Sequence, residues 1–163
     1  MSGIVGISDI RTVPVGEDLT KEALNLEILR GLEKMFRVDK KVGSGVSVKS
    51  GEFAVLGNDG MLSRPGATPV AETYLVFAGT DRFDSKATGQ CTLIMSSALI
   101  VKTDLYDKTQ SYNVGDELTS KDRGMGEADL TKAASGEFAL GKVTEVGSGY
   151  IVYELYSAAH VKA

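Results

Sequence analysis

From residue 45 to the end of the chain, apolar positions alternate with polar ones or fall in short runs bounded by glycine. That is the pattern of strands. The clearest case is the stretch from Ser135 to Tyr156, which reads as two strands joined by a tight Gly147-Ser148-Gly149 turn. Glycine supplies the positive φ that short hairpin loops need. In the second strand Ile151, Tyr153 and Leu155 share one face, and Tyr150, Val152 and Tyr156 share the other. Both faces are largely apolar, so neither reads as an ordinary solvated face. Tyr150, Val152 and Tyr156 are therefore the expected contact with another copy. In the first strand Phe138 and Leu140 share a face but Val143 is out of step, which predicts a β-bulge at Gly141-Lys142.

Further strands are expected around Val46 and Val48, at Phe53 to Leu56, and at Thr73 to Gly79, which is apolar on both faces. Gly57-Asn58-Asp59-Gly60 is a turn, and Ser63 to Glu72, with two prolines, is a loop. Thr92 to Met95 and Ala98 to Thr103 read as two strands or one kinked strand. Residues 104 to 135 read as mostly irregular, with short extended pieces near Leu118 and Leu130, and the Gly124-Met125-Gly126 turn inside the acidic stretch reads as mobile.

Residues 19 to 37 break the pattern. Leu24, Ile28, Leu32, Met35 and Phe36 recur at helical spacing, Asp18 or Thr20 can cap the start, and Glu33 and Arg37 are placed for an ion pair. One helix is predicted there, although Gly31 weakens its interior by on the order of 1 kcal/mol. Ahead of it, Ile4, Val5, Ile7, Ile10, Val13 and Val15 lie in a stretch without compact periodicity, and Pro14 argues against a central strand. Such an arm is disordered or docked, and its apolar content favours docking on a partner. The expected class is mainly β: an extended arm over 1–17, one N-terminal α-helix over 18–38, and a small β-barrel or sandwich over 45–157.

One string is used twice. Ser50-Gly51-Glu52-Phe53-Ala54-Val55-Leu56-Gly57 nearly matches Ser135-Gly136-Glu137-Phe138-Ala139-Leu140-Gly141, with a milder echo at Val114-Gly115-Asp116-Glu117-Leu118. This predicts a reused glycine turn leading into a strand, in preference to internal duplication.

Composition adds limits. The 163 residues suit one domain with an appended arm, and 19 glycines suit many turns. No apolar run approaches the roughly 20 residues of a membrane-spanning helix. No basic-then-apolar leader opens the chain, so no secretory signal is expected. The formal net charge is -4, all of it carried by the seven acids and three bases of residues 104 to 129. No basic stripe for nucleic acid is present. Cys91, in a strand-like run, reads as an inert thiol, and His160 as a solvated tail residue. One cysteine and one histidine give no metal cluster or Cys/His pair, and no cofactor is expected. Glycine motifs of the phosphate-binding and nucleophile-elbow types are missing. Asp81 with Asp84, and Asp104 with Asp107, are possible paired carboxylates or hard-cation ligands, but three-residue loop spacing is common by chance. No catalytic residue is expected.

Three stretches, Val48 to Val55, Val114 to Leu118, and Phe138 to Val143 with the glycine turn after it, resemble in order the small head decoration, or capsid cement, proteins of tailed bacteriophages. The resemblance covers residues 45 to 156. It implies a non-enzymatic virion protein, made in the host cytoplasm. Such a protein sits on the outer capsid surface, clamps neighbouring major capsid subunits and acts as a dimer or trimer. It also implies that residues 1 to 17 extend along the capsid, and that nucleic acid and membrane are not partners. Two other readings stay open: a tail-tube or neck ring protein, and a β-barrel enzyme or ligand-binding module with a pocket near Asp81, Asp84 and Tyr106.

Overall fold

The structure, a computed structural model, describes residues 26–30, 36–43, 45, 46, 48, 51–77, 90–95, 99–122 and 128–163. Among them, eleven strands form two antiparallel sheets. The larger sheet runs, edge to edge, β1 (Leu26–Arg30), β7 (Leu99–Thr103), β11 (Tyr150–Val161), β10 (Phe138–Gly147), β8 (Glu117–Asp122) and β9 (Ala128–Lys132). The smaller runs β2 (Phe36–Lys41), β6 (Gln90–Met95), β5 (Thr73–Phe77), β3 (Phe53–Leu56) and β4 (Leu62–Ser63). The chain changes sheet between β6 and β7, so the stretch from Thr92 to Thr103 is two strands.

The two sheets face each other across one core. Phe53, Leu75 and Ile94 from the smaller sheet meet Leu99, Val101, Leu118, Leu140, Val143, Ile151, Tyr153 and Leu155 from the larger. The face of β11 read from its alternation is the buried one: Ile151 and Tyr153 are almost fully enclosed. The other face of the smaller sheet is also buried. Ala54, Leu62, Val76 and Leu93 form a second cluster with Val42 and Val48, and Val46, Leu56 and Tyr74 pack against it. This cluster is enclosed because the small sheet begins to close on itself. Val42, just past β2, bridges Leu62 in parallel, and the Gly43 N–H donates to the Leu62 carbonyl at 2.9 Å. The expectation of a small barrel or sandwich is met by a sandwich with one partly closed sheet.

Several expectations are overturned. The predicted helix falls on strands wherever it is described: β1 pairs with β7, and β2, which starts at Phe36, pairs with β6. Residues 19–25 and 31–35 lie outside the described residues, as does the arm. The sheets therefore begin before residue 45, and β11 carries them past 157 to Val161. Val46 and Val48 pack on the second cluster without being in a strand. The stretch read as irregular contains the β8–β9 hairpin.

The β-bulge in β10 is real but displaced. The extra residue on β10 lies between Val143 and Glu145, opposite the single step from Tyr153 to Val152. A larger irregularity between Ala139 and Gly141 has its excess on β11, where the partner jumps from His160 to Leu155. Gly141 is required there for another reason. A Cβ at that position would lie 2.6 Å from the Glu154 carbonyl oxygen.

The repeated string proves to be one device in three places. Gly51, Gly115 and Gly136 have φ of 91°, 97° and 88°. Each glycine N–H donates to a carbonyl on a neighbouring segment, respectively Val76, Val143 and Lys162. The N–H of that same residue donates back to the carbonyl of the acid after the glycine: Glu52, Asp116 or Glu137. Two residues thus oppose one, the glycine-first β-bulge. At the second and third sites the glycine is third in a hydrogen-bonded four-residue turn, Asn113 to Asp116 and Ala134 to Glu137. A positive φ there is what a type II turn needs.

Candidate interaction surface

The acids in these turns brace them. Asp116 Oδ2 accepts the Asn113 N–H at 2.8 Å and lies 3.2 Å from Lys132 Nζ. Glu137 repeats the arrangement, accepting the Ala134 N–H at 2.8 Å and Lys121 Nζ at 2.7 Å. Glu52 lies 3.5 Å from the Arg64 guanidinium. The Asn113 N–H, followed by Lys132, holds the Asp116 carboxyl below its ordinary range. Burial pushes Glu137 up, but Lys121 and the Ala134 N–H outweigh it and leave that carboxyl lowered too.

One edge of the larger sheet is sealed. β9 is the last described strand on that side, and the loop after β7 lies along it. The Asp107 N–H donates to the Leu130 carbonyl at 2.8 Å, and the Gln110 side-chain oxygen accepts the Lys132 N–H at 3.2 Å. Asp107 itself is 2% exposed. Its carboxylate accepts the Thr109 N–H and hydroxyl at 2.9 and 2.6 Å and the Thr131 hydroxyl at 3.2 Å. The Tyr112 hydroxyl donates to its carbonyl. Asp107 is thus a structural knot, while Asp104 is exposed. Asp81 and Asp84 lie outside the described residues. Tyr106 is half-buried, with its ring edge-on to Tyr112 at 5.5 Å and Lys108 Nζ 4.7 Å from its centroid.

The outer face of the larger sheet carries the residues expected at an oligomer contact, and they are placed unevenly. Val152 is 4% exposed within the single chain. Tyr150 is half-buried, with its ring against Gly147 and Lys102 Nζ 4.3 Å from the ring centroid. Its hydroxyl donates to Glu145, which raises the Tyr150 pKa. Tyr156 is half-buried as well. Lys142 and Glu117 lie on the same face, so this face is charged and not apolar.

Sequence reasoning missed a cluster here. Glu117 Oε2 accepts the Tyr156 hydroxyl at 2.7 Å and meets His160 Nε2 at 2.8 Å, and the Tyr156 and His160 rings stack at 4.6 Å. His160 is therefore not a tail residue. It lies in β11 opposite Ala139 and ties the end of the chain to β8 across β10. The bond from Tyr156 holds the Glu117 carboxyl below its ordinary range. Burial, then that same bond, pushes the Tyr156 phenol well up. Period-two spacing puts Tyr156 on the right face, but its cross-strand partner has no local signal.

The six arm residues, Ile4 to Val15, lie outside the described residues. What the structure does give is where their segment joins the fold: residues 1–25 run into β1, the outermost described strand of the larger sheet on the side opposite β9. Cys91 lies in β6 opposite Lys40. Among the described residues no group of three His, Cys, Asp or Glu side chains could hold a metal ion, and no helix is long and apolar enough to cross a membrane. A shallow depression of about 430 Å³ lies at the seam of the small sheet, between Gly43 and the Gly57 to Ser63 turn. No protein-family model, curated protein or solved structure matches the chain.

Proposed function

We propose that the chain is a structural virion protein that binds the outer surface of a phage capsid and stabilises contacts between major capsid subunits. The observation that carries this reading is the place where residues 1–25 meet the fold. A segment rich in Ile and Val leads into the outermost described strand on one side of the larger sheet, while the opposite edge is sealed by Asp107 and Gln110. An extended segment leaving a sheet edge is free to add main-chain hydrogen bonds to a sheet of a neighbouring protein. Weak arms repeated over a lattice gain by multivalency. The body they leave, a sandwich with two enclosed apolar clusters, is a stiff anchor for them.

The test removes the arm alone. Because β1 begins at Leu26, deleting residues 1–15 touches no described strand. Binding to heads that lack the protein, followed by co-sedimentation, should weaken about tenfold or more, with the circular dichroism of the body unchanged. Undiminished binding by the truncated protein sinks the reading. Rings or tubes in electron micrographs of the purified protein would favour a tail-tube or neck component instead.

A further inference from the structure

The turn between β3 and β4 carries the chain's one Asp-Gly step, Asp59-Gly60, and Asn-Gly does not occur. Asn58, Asp59 and Gly60 are all exposed. The Gly60 N–H donates to the Gly57 carbonyl at 3.0 Å, and the Gly57 N–H donates to the Met61 carbonyl at 2.9 Å. Gly60 has φ of 79°, the left-handed residue that ends such a hairpin loop. A Cβ there would meet nothing within 4 Å, so the space beside Gly60 is open. The Asp59 carboxyl is turned back over the loop. Its Oδ1 accepts the Met61 N–H at 2.9 Å, and its Cγ lies 3.9 Å from where a Cβ on Gly57 would stand. An aspartate bonded to the N–H two residues on closes its carboxyl over the peptide between them. That peptide nitrogen belongs to Gly60. The carboxyl carbon and a nitrogen able to attack it are thus held on the same side of the loop. The depression at the seam, with Gly57, Asp59 and Ser63 in its lining, lets water reach both.

We propose that Asp59 is a site of spontaneous isomerisation in the folded chain, and that the product loosens the seam of the smaller sheet. The Gly60 nitrogen attacks Asp59 Cγ in the acid form of the carboxyl. The new C–N bond forms as a C–O bond breaks, and the amide proton leaves with the hydroxyl as water. The five-membered imide then takes up one water. Opening at the side-chain carbonyl restores aspartate, and opening at the main-chain carbonyl yields isoaspartate. Water is the only other reactant. Isoaspartate routes the main chain through the former side chain and lengthens it by one carbon. That carbon falls inside the loop closed by the Gly57–Met61 bond, next to Leu62. The Leu62 carbonyl accepts the Gly43 N–H, and Leu62 bridges Val42, so it holds the seam. Loop length fixes the register of a hairpin, so a longer loop shifts Leu62 against its partners. This goes beyond the capsid reading, and its test needs no capsid.

The full chain is incubated at mildly acidic pH beside a synthetic peptide of residues 52–63, and isoaspartate is located by electron-transfer fragmentation of proteolytic fragments. Asp59 should isomerise ahead of every other aspartate of the chain. Its rate should lie within about tenfold of the peptide's, because only one exposed main-chain bond has to open. Asp59→Glu, which cannot close the five-membered ring, should remove the signal. In the isomerised fraction the Gly43 amide should exchange hydrogen about tenfold faster or more than in fresh protein. An Asp59 that reacts more slowly than that margin, or a signal that survives Asp59→Glu, overturns the proposal. Unaltered protection of Gly43 in the isomerised fraction overturns the loosening of the seam.

Discussion

The two sheets differ in what their outer faces do. The larger has one face in the shared core and one carrying Glu117, Lys142, Glu154 and the two tyrosines, half in water. The smaller is apolar on both: Leu75 and Ile94 look toward the larger sheet, and Val76 and Leu93 into the second cluster. An antiparallel sheet normally leaves one face solvated. The smaller one escapes that rule because Val42 and Gly43 draw it toward closure at Leu62, which encloses a second interior. The smaller sheet is therefore the middle layer of the described fold, and the larger sheet is its outer wall.

The sharpest break of that comparison uses neighbouring residues of β5. Leu75→Ala empties the shared core and should cost about 2–5 kcal/mol of unfolding free energy. Val76→Ala empties only the second cluster and should cost about 1.5 kcal/mol, from two fewer buried carbon groups. Chemical denaturation of both variants checks this, and equal losses would mean the two interiors are not distinct.

The reused turns come next. Gly115→Ala and Gly136→Ala each put a Cβ into the left-handed region with open space around it, so the cost is backbone strain alone, about 1–2 kcal/mol at each. A clear excess of one over the other in thermal unfolding would deny that they are one device.

Smaller still is an acid-sensitive contribution from the outer wall. Glu117, Asp116 and Glu137 all have lowered pKa values, so the charged form is favoured by folding. Their stabilisation is complete above the ordinary carboxylate range near pH 4–4.5 and is lost as pH falls through the lowered folded values. Glu117→Gln should flatten the fall in stability below pH 4.5, with little change in slope above pH 6. An unchanged acid profile would mean that the bonds from Tyr156 and His160 do not favour the carboxylate.

The smallest effect should have the opposite sign. Tyr153 is 1% exposed in the shared core, and its hydroxyl has no hydrogen-bond partner among the described residues. Burial alone pushes its phenol far up. A buried, unpaired hydroxyl costs about 1–3 kcal/mol in desolvation. Tyr153→Phe should therefore leave stability unchanged or raise it in denaturant melts. A loss would reveal a partner for that hydroxyl.

Much of this was legible along the chain wherever the signal was local. The alternation in β11, the Gly-Ser-Gly turn and the thrice-used glycine-acid string all depend on residues within a few positions of each other. Residues 26–30 and 36–38 form strands where the spacing predicts a helix, because short apolar runs do not separate helix from strand by period. Their state is decided by β7 and β6, about fifty to eighty residues away. Gly31 inside the supposed helix was the available warning. Asp107 carried a usable sign as well, since Asp followed two residues later by Thr favours a side-chain-closed turn. Its partner Thr131 did not, nor did the Glu117, Tyr156 and His160 cluster, because cross-strand neighbours are set by register. Of the residues expected at interfaces, the alternation placed Tyr150 and Tyr156 on the half-exposed face. It could not show that Lys102 and Gly147 already occupy Tyr150, or that Val152 is enclosed by its own chain.

The function proposed for this fold rests on the arm reaching from the β1 edge to a neighbouring protein. A reconstruction of the parent particle, fine enough to separate strands, tests that most directly. The account predicts the sandwich on the outside of the head, with residues 1–25 continuing from Leu26 onto adjacent capsid subunits. Density for the protein in the tail or neck, or a body seated on the head with its β1 edge facing solvent and no arm reaching the lattice, would contradict it.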